Sequence, residues 1–96
     1  MDTTEFLEEG YRDLSSIVSG IRREDATAVA GAARRLAVTS AHIGAEPLAT
    51  AARQLLALTT DPGALLGGAV LSVARAFAEV EAEMREAVER EVPLFI

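Results

Sequence analysis

Residues 25–45 read DATAVAGAARRLAVTSAHIGA, and the periodicity of this stretch decides the fold. With Leu36 at zero and about 100° per residue, Val29, Ala33, Ser40 and Ile43 fall within about 60° of it. That is one buried stripe on an amphipathic helix. Asp25 is placed to cap a helix running from Ala26 to about Ile43, and Gly44 to close it. The opposite face carries Arg34 and Val38, at about 160° and 200°, with Ala30, Gly31, Ala37, Ala41, His42 and Ala45. A solvated helix face normally shows Glu, Lys and Gln. This one is nearly all alanine, which either fills a surface with a good helix former or makes a flat docking surface from which one guanidinium projects.

Three more helical segments surround it. The first starts near Thr3-Thr4, whose hydroxyls can cap orphan amides, and Glu5, Glu8 and Glu9 suit its positive end. Leu7, Tyr11, Leu14, Val18 and Ile21 step by four and three along one stripe, and Gly20 with the run Arg22-Arg23-Glu24-Asp25 ends it. The third begins at Pro47, a first-turn proline, and runs through Leu48, Ala52, Leu55 and Leu56 to Thr59. Asp61-Pro62 separates it from a fourth. That helix carries Val70, Val73, Phe77, Val80, Met84 and Val88 at helical spacing, with Gly67-Gly68 breaking or bending its first turns. The tail Val92-Pro93-Leu94-Phe95-Ile96 is apolar beyond a proline, so it folds back on the bundle or meets another chain. No segment alternates with period two, so the chain reads as all-α. Short connections make neighbours antiparallel, giving an up-down-up-down four-helix bundle. Its expected core is Leu7, Leu14, Leu36, Ile43, Leu48, Leu55, Phe77, Val80 and Met84.

With 96 residues the chain makes one domain, 1–96, with a bundle core over about 4–91 and the apolar tail at 92–96. Half the residues are apolar and 25% charged, enough for a globular core. There is no cysteine and only one histidine, so neither a Cys-based nor a multi-histidine metal centre is expected, and no cofactor. The net charge is −6 and all nine basic residues are Arg, a balance that disfavours nucleic acid as a partner. The longest uncharged stretch, 62–74, falls short of the roughly 20 apolar residues that span a bilayer. The N-terminus lacks the basic start and apolar run of a signal peptide, so the expected location is the cytoplasm.

Chemistry-bearing clusters are weak. Glu79, Glu83, Glu86 and Glu89 lack the paired Glu-x-x-His of a carboxylate-bridged bundle site and read as a solvated face, with Glu81 and Arg85 as an i,i+4 pair. Ser15, Ser16, Ser19, Ser40 and Ser72 have no local base. Gly67-Gly68 lacks the strand and basic residue of a phosphate loop. No enzyme site is expected.

Residues 34–45, RRLAVTSAHIGA, followed by Leu48 and Leu55, resemble the signature of histidine-containing phosphotransfer (Hpt) domains. That family shows His-x-Leu-Lys-Gly-Ser-[Ala/Ser]-x-x-[Leu/Ile]-Gly-Ala, then a Leu three residues on and a Leu-Glu seven later. Leu36, Ser40, Ile43, Gly44, Ala45, Leu48 and Leu55 match in register without a gap. Phe6-Leu7-Glu8-Glu9 and the polar turn before the second helix also resemble the family, so the likeness covers roughly residues 4–90. It implies a cytoplasmic four-helix bundle that docks receiver domains of response regulators.

The departures fall on the chemistry. The family's phosphoaccepting His corresponds to Arg34, its Lys to Ala37 and its Gly to Val38, and Leu56 stands where the family often has Glu. A guanidinium stays protonated and is a very poor nucleophile. The resemblance therefore implies a non-catalytic adaptor of two-component phosphorelay signalling. Its partner would be a receiver domain or a histidine kinase, met by Arg34, Ala30, Ala37, Val38, Ala41 and His42. Two alternatives stand beside it: a structural dimerisation bundle associating through the tail and the small-residue face, and an active phosphotransfer protein using His42. His42 lies about 12 Å along the helix from Arg34 and is rotated by about 80°, where a receiver docked in the family's manner would not meet it. A histidine there suits the negative end of the helix.

Overall fold

The computed structural model describes residues 2–61, 64 and 66–91. The described residues form four helices: α1 (Thr3–Arg22), α2 (Ala26–His42), α3 (Glu46–Leu58) and α4 (Gly67–Glu91). There is no strand among the described residues. α1 packs on α2, α2 on α3, α3 on α4, and α4 back on α1, so the contacts close a ring around one core. None of the described helices is long and apolar enough to cross a membrane. The apolar tail at 92–96 and Pro62 lie outside the described residues.

Both three-residue turns have the same construction. After α1, the Asp25 amide donates to the Gly20 carbonyl at 2.8 Å and the Glu24 amide to Ile21 at 3.1 Å. After α2, the Ala45 amide donates to Ser40 at 2.8 Å and the Gly44 amide to Ala41 at 3.1 Å. These are Schellman closures, which satisfy the last carbonyls of a helix and need one residue in the left-handed region. Gly44 supplies it with φ 82°, as its position in the sequence predicts. In the first turn Glu24 supplies it with φ 56°, although it has a Cβ. Asp25 then caps α2, its Oδ1 accepting from the Ala28 amide at 3.1 Å.

The start of α1 corrects the capping expectation. Asp2, not Thr3 or Thr4, is the cap, with its carboxylate accepting from the Glu5 amide at 2.8 Å. α3 starts at Glu46, with Pro47 inside its first turn. Gly67 and Gly68 open α4 rather than break it.

The core of α1 also lies on a different line from the expected one. Phe6, Gly10, Asp13, Ile17 and Gly20 are the buried residues. The expected stripe sits one residue later, about 100° round the helix. Leu7, Leu14 and Ile21 are half-buried flank, and Tyr11 and Val18 are exposed. The reason is backbone proximity. A Cβ on Gly20 would lie 2.7 Å from Val29 Cγ2, and one on Gly10 would run into the ring of Phe77. α1 therefore approaches its neighbours through glycines, which carry no apolar side chain for periodicity to detect.

The remaining core is close to expectation. Leu36, Leu48, Leu55, Phe77 and Val80 are buried, joined by Ile17, Val29, Val73 and a set of alanines, while Ile43 and Met84 pack half-buried against them. Val88, placed on the apolar line of α4, is exposed. Phe6 stacks on Phe77 with ring centroids 6.1 Å apart, and Tyr11 meets Phe77 edge-on at 5.3 Å. Ser40 is fully buried, and its hydroxyl donates to the Leu36 carbonyl at 2.6 Å, so no polar group is left unsatisfied there.

Candidate functional site

α2 places its two faces as the helical wheel requires, with one exception. Arg34, Val38, Ala41 and His42 are exposed and Ala30 is half-buried. Val38, at 64% exposure, is the most exposed large apolar side chain among the described residues. Ala37, expected on the outer face, is buried at 7% exposure and belongs to the core. α2 packs against both α1 and α3, so its buried arc is wider than a single stripe. A residue about 100° from Leu36 is covered by a neighbour.

The outer face of α2 continues into an open groove shared with α1. Arg34, Arg35, Val38 and Thr39 line it from α2, and Glu9, Arg12, Asp13 and Ser16 from α1. At the α1–α2 contact, Arg35 Nε donates to Asp13 Oδ1 at 3.1 Å. The two ends of this ion pair differ sharply: the Asp13 side chain is 7% exposed and the Arg35 side chain 60%. Burial raises the Asp13 carboxyl above its ordinary value, and the Arg35 hydrogen bond and charge oppose that only in part. Thr39 donates its hydroxyl back to the Arg35 and Leu36 carbonyls, at 3.1 and 3.2 Å.

Arg34 and Arg12 make no ion pair or hydrogen bond with the described residues, although both are exposed in a chain rich in acids. Arg35 pairs with Asp13, Arg53 with Glu46, Arg85 with Glu81 and Arg90 with Glu86, while Arg22 and Arg75 are exposed and unpaired among the described residues as well. Glu81 and Arg85 meet at 2.9 Å, as their i,i+4 spacing predicts. His42 lies in the last turn of α2, away from the groove lining. Arg12, Asp13 and the α1 wall of the groove escape a reading based on α2 alone. The available signal is Asp13 itself, an acid at helical spacing from Phe6, Gly10 and Ile17, which has to find a cation when buried.

Chemically, the arrangement offers guanidinium donors beside an exposed valine. No family model matches the chain, and neither a curated protein nor a solved structure does.

Proposed function

We propose that this chain is a non-catalytic Hpt-like adaptor of cytoplasmic two-component signalling, folded as an up-down-up-down antiparallel bundle. It binds a receiver domain of a response regulator, or a histidine kinase, and modulates phosphotransfer. The observation that carries this reading is the state of Arg34. It is exposed and unpaired at the position where the resembled family presents its phosphoaccepting His. Around it, the positions shared with the family do structural work. Leu36, Ser40, Leu48 and Leu55 are buried, and Gly44 takes the left-handed turn. The ring of sequential contacts and the three-residue turns support the antiparallel topology.

In this reading Arg34 enters the acidic pocket around the receiver's phosphoaccepting Asp, pairing with carboxylates in a planar, bidentate way. Val38, Ala30 and Ala41 form an apolar collar, and His42 lies at its edge. The complex blocks phosphorylation of the receiver rather than promoting it. Truncating one partner of a desolvated interfacial charge pair costs about 2–5 kcal/mol, so Arg34→Glu weakens binding at least about tenfold. Titration of wild type and Arg34→Glu against the host's isolated receiver domains is the test. Equal affinities remove the plugging role of Arg34, and failure of every receiver domain to bind removes the adaptor.

A second reading is favoured by α1 and α4. Tyr11, Val18 and Leu71 are 46%, 41% and 51% exposed. Val18 also lines an open groove with Leu14, Val70 and Ala74. These residues support self-association of the bundle. Sedimentation at micromolar concentration tests it: a dimer dissociated by Val18→Glu supports this second reading, and a monomer removes it.

A further inference from the structure

The α1–α2 groove holds more positive charge than the acidic chain around it. Three guanidiniums, Arg12, Arg34 and Arg35, face two carboxylates, Glu9 and Asp13, in a molecule of net charge −6. One of those carboxylates is already committed, since Asp13 accepts from Arg35 Nε. The Arg35 side chain folds back along its own helix. Its Nη1 comes within 3.6 Å of where a Cβ on Gly31 would sit, an ordinary contact distance. Arg12 on one wall and Arg34 on the other make no ion pair or hydrogen bond with the described residues, although Arg12 lies close enough to Asp13 to interact with its charge. The exposed Val38 lines the same groove from α2.

We propose that this groove, and not the outer face of α2 alone, is the recognition site for an acidic protein segment. Arg12 and Arg34 grip two carboxylates from opposite walls, and Val38 packs an apolar side chain between them. This rests on the adaptor reading and extends it by assigning α1 a share in partner binding. The charge pattern selects the occupant. A partner rich in carboxylates is repelled by the chain as a whole and attracted where arginines gather, here and in the neighbouring groove of Arg23 and Arg35, and of the two this groove alone adds the exposed Val38. Glu9 in the wall repels any anion, so the groove favours a ligand that brings apolar surface to Val38 along with its charge. A protein surface brings carboxylates and apolar side chains together, as the groove requires. Asp13 is a positioning residue: from the α1 side it holds Arg35 along the groove and keeps that guanidinium from folding over Val38.

Two arms test the proposal. In the first, Arg12→Glu, Arg34→Glu and Arg75→Glu are titrated against the host's receiver domains, with circular dichroism confirming the fold of each. Arg75 is also exposed but lies on α4, outside the groove, and controls for net charge. Arg12→Glu is expected to weaken binding at least tenfold and Arg75→Glu less than threefold. If Arg12→Glu binds like wild type while Arg34→Glu does not, the groove proposal falls and the adaptor stands. The second arm does not depend on receivers. Amide shifts of the labelled wild-type chain are mapped with an acetylated Asp-Leu-Asp-Leu-Asp peptide, with inorganic phosphate and with a short single-stranded DNA. Peptide shifts confined to Arg12, Ser16, Arg34 and Val38 support the groove even if no receiver binds. Their absence, or equal or stronger shifts with phosphate or DNA, overturns it.

Discussion

The ring of Phe77 occupies the space that a side chain at Gly10 would fill, so α1 and α4 meet backbone to ring. Adding even one methyl there forces the ring or the helix aside. Gly10→Ala is therefore expected to destabilise the protein by about 1–3 kcal/mol despite the better helix propensity of alanine. A urea unfolding midpoint at or above that of wild type would show that the two helices are not held this closely.

Leu36 and Phe77 lie at the centre of the core, 0% and 3% exposed. Truncating either to Ala removes transfer energy and leaves a cavity, at a cost of about 2–5 kcal/mol. Leu71, exposed on α4, is the contrast: Leu71→Ala is expected to stay within about 0.5 kcal/mol of wild type. Denaturant unfolding of all three variants checks both halves of the expectation.

Asp13 makes stability depend on pH in the direction opposite to an ordinary surface ion pair. Burial raises its carboxyl above the ordinary 3.8, so the folded chain holds this proton more tightly than the unfolded chain. The group's penalty is present at neutral pH and is relieved as pH falls through the raised value toward 3.8. Asp13→Asn keeps an acceptor for Arg35 and removes the buried charge. The side chain of Arg35 is largely in solvent, so no buried cation is stranded by the change. The variant is expected to be as stable as wild type or more so at pH 7, with its advantage shrinking as pH falls through the raised value and exhausted below 3.8. Paired urea melts at the two pH values cancel the contribution of the other carboxylates, and an advantage that grows on acidification would reverse the assignment.

Glu24 holds a left-handed conformation that a side chain disfavours, at the position where Gly44 serves in the next turn. Glu24→Gly relieves that strain, and the greater freedom of glycine in the unfolded chain offsets part of the gain. The net expectation is stabilisation by about 0.5–1 kcal/mol, read as a higher urea midpoint.

If Arg34 stands in for the phosphoaccepting His, as proposed, incubation with a phosphorylated receiver is expected to leave the wild-type chain unlabelled. Labelling that disappears in His42→Gln would overturn the adaptor reading in favour of phosphotransfer. Rebuilding the family's triad would need Arg34→His, Val38→Gly and Ala37→Lys together. Ala37 is buried, so the lysine would have to thread its stem out past α3 or α1. Arg34→His with Val38→Gly is thus the variant expected to stay folded, with a loss of about 1 kcal/mol from the glycine.

Periodicity, caps and breakers were enough to read four helices, the inward residues of α2 and the closing glycine at position 44. These are local properties: the backbone's 3.6-residue repeat and the demand of helix ends for partners act wherever the residues stand. Arg34 and Val38 were legible as exposed for the same reason. Only the tertiary structure decided which line of α1 turns inward. Gly10 and Gly20 enter the core by what they lack, and Asp13 enters it because Arg35, twenty-two positions away, supplies its partner. The burial of Ala37 needed a second neighbour of α2, and the Arg12–Arg34 groove needed two helices side by side. Both depend on which surfaces meet, a relation between distant segments that no single helix encodes.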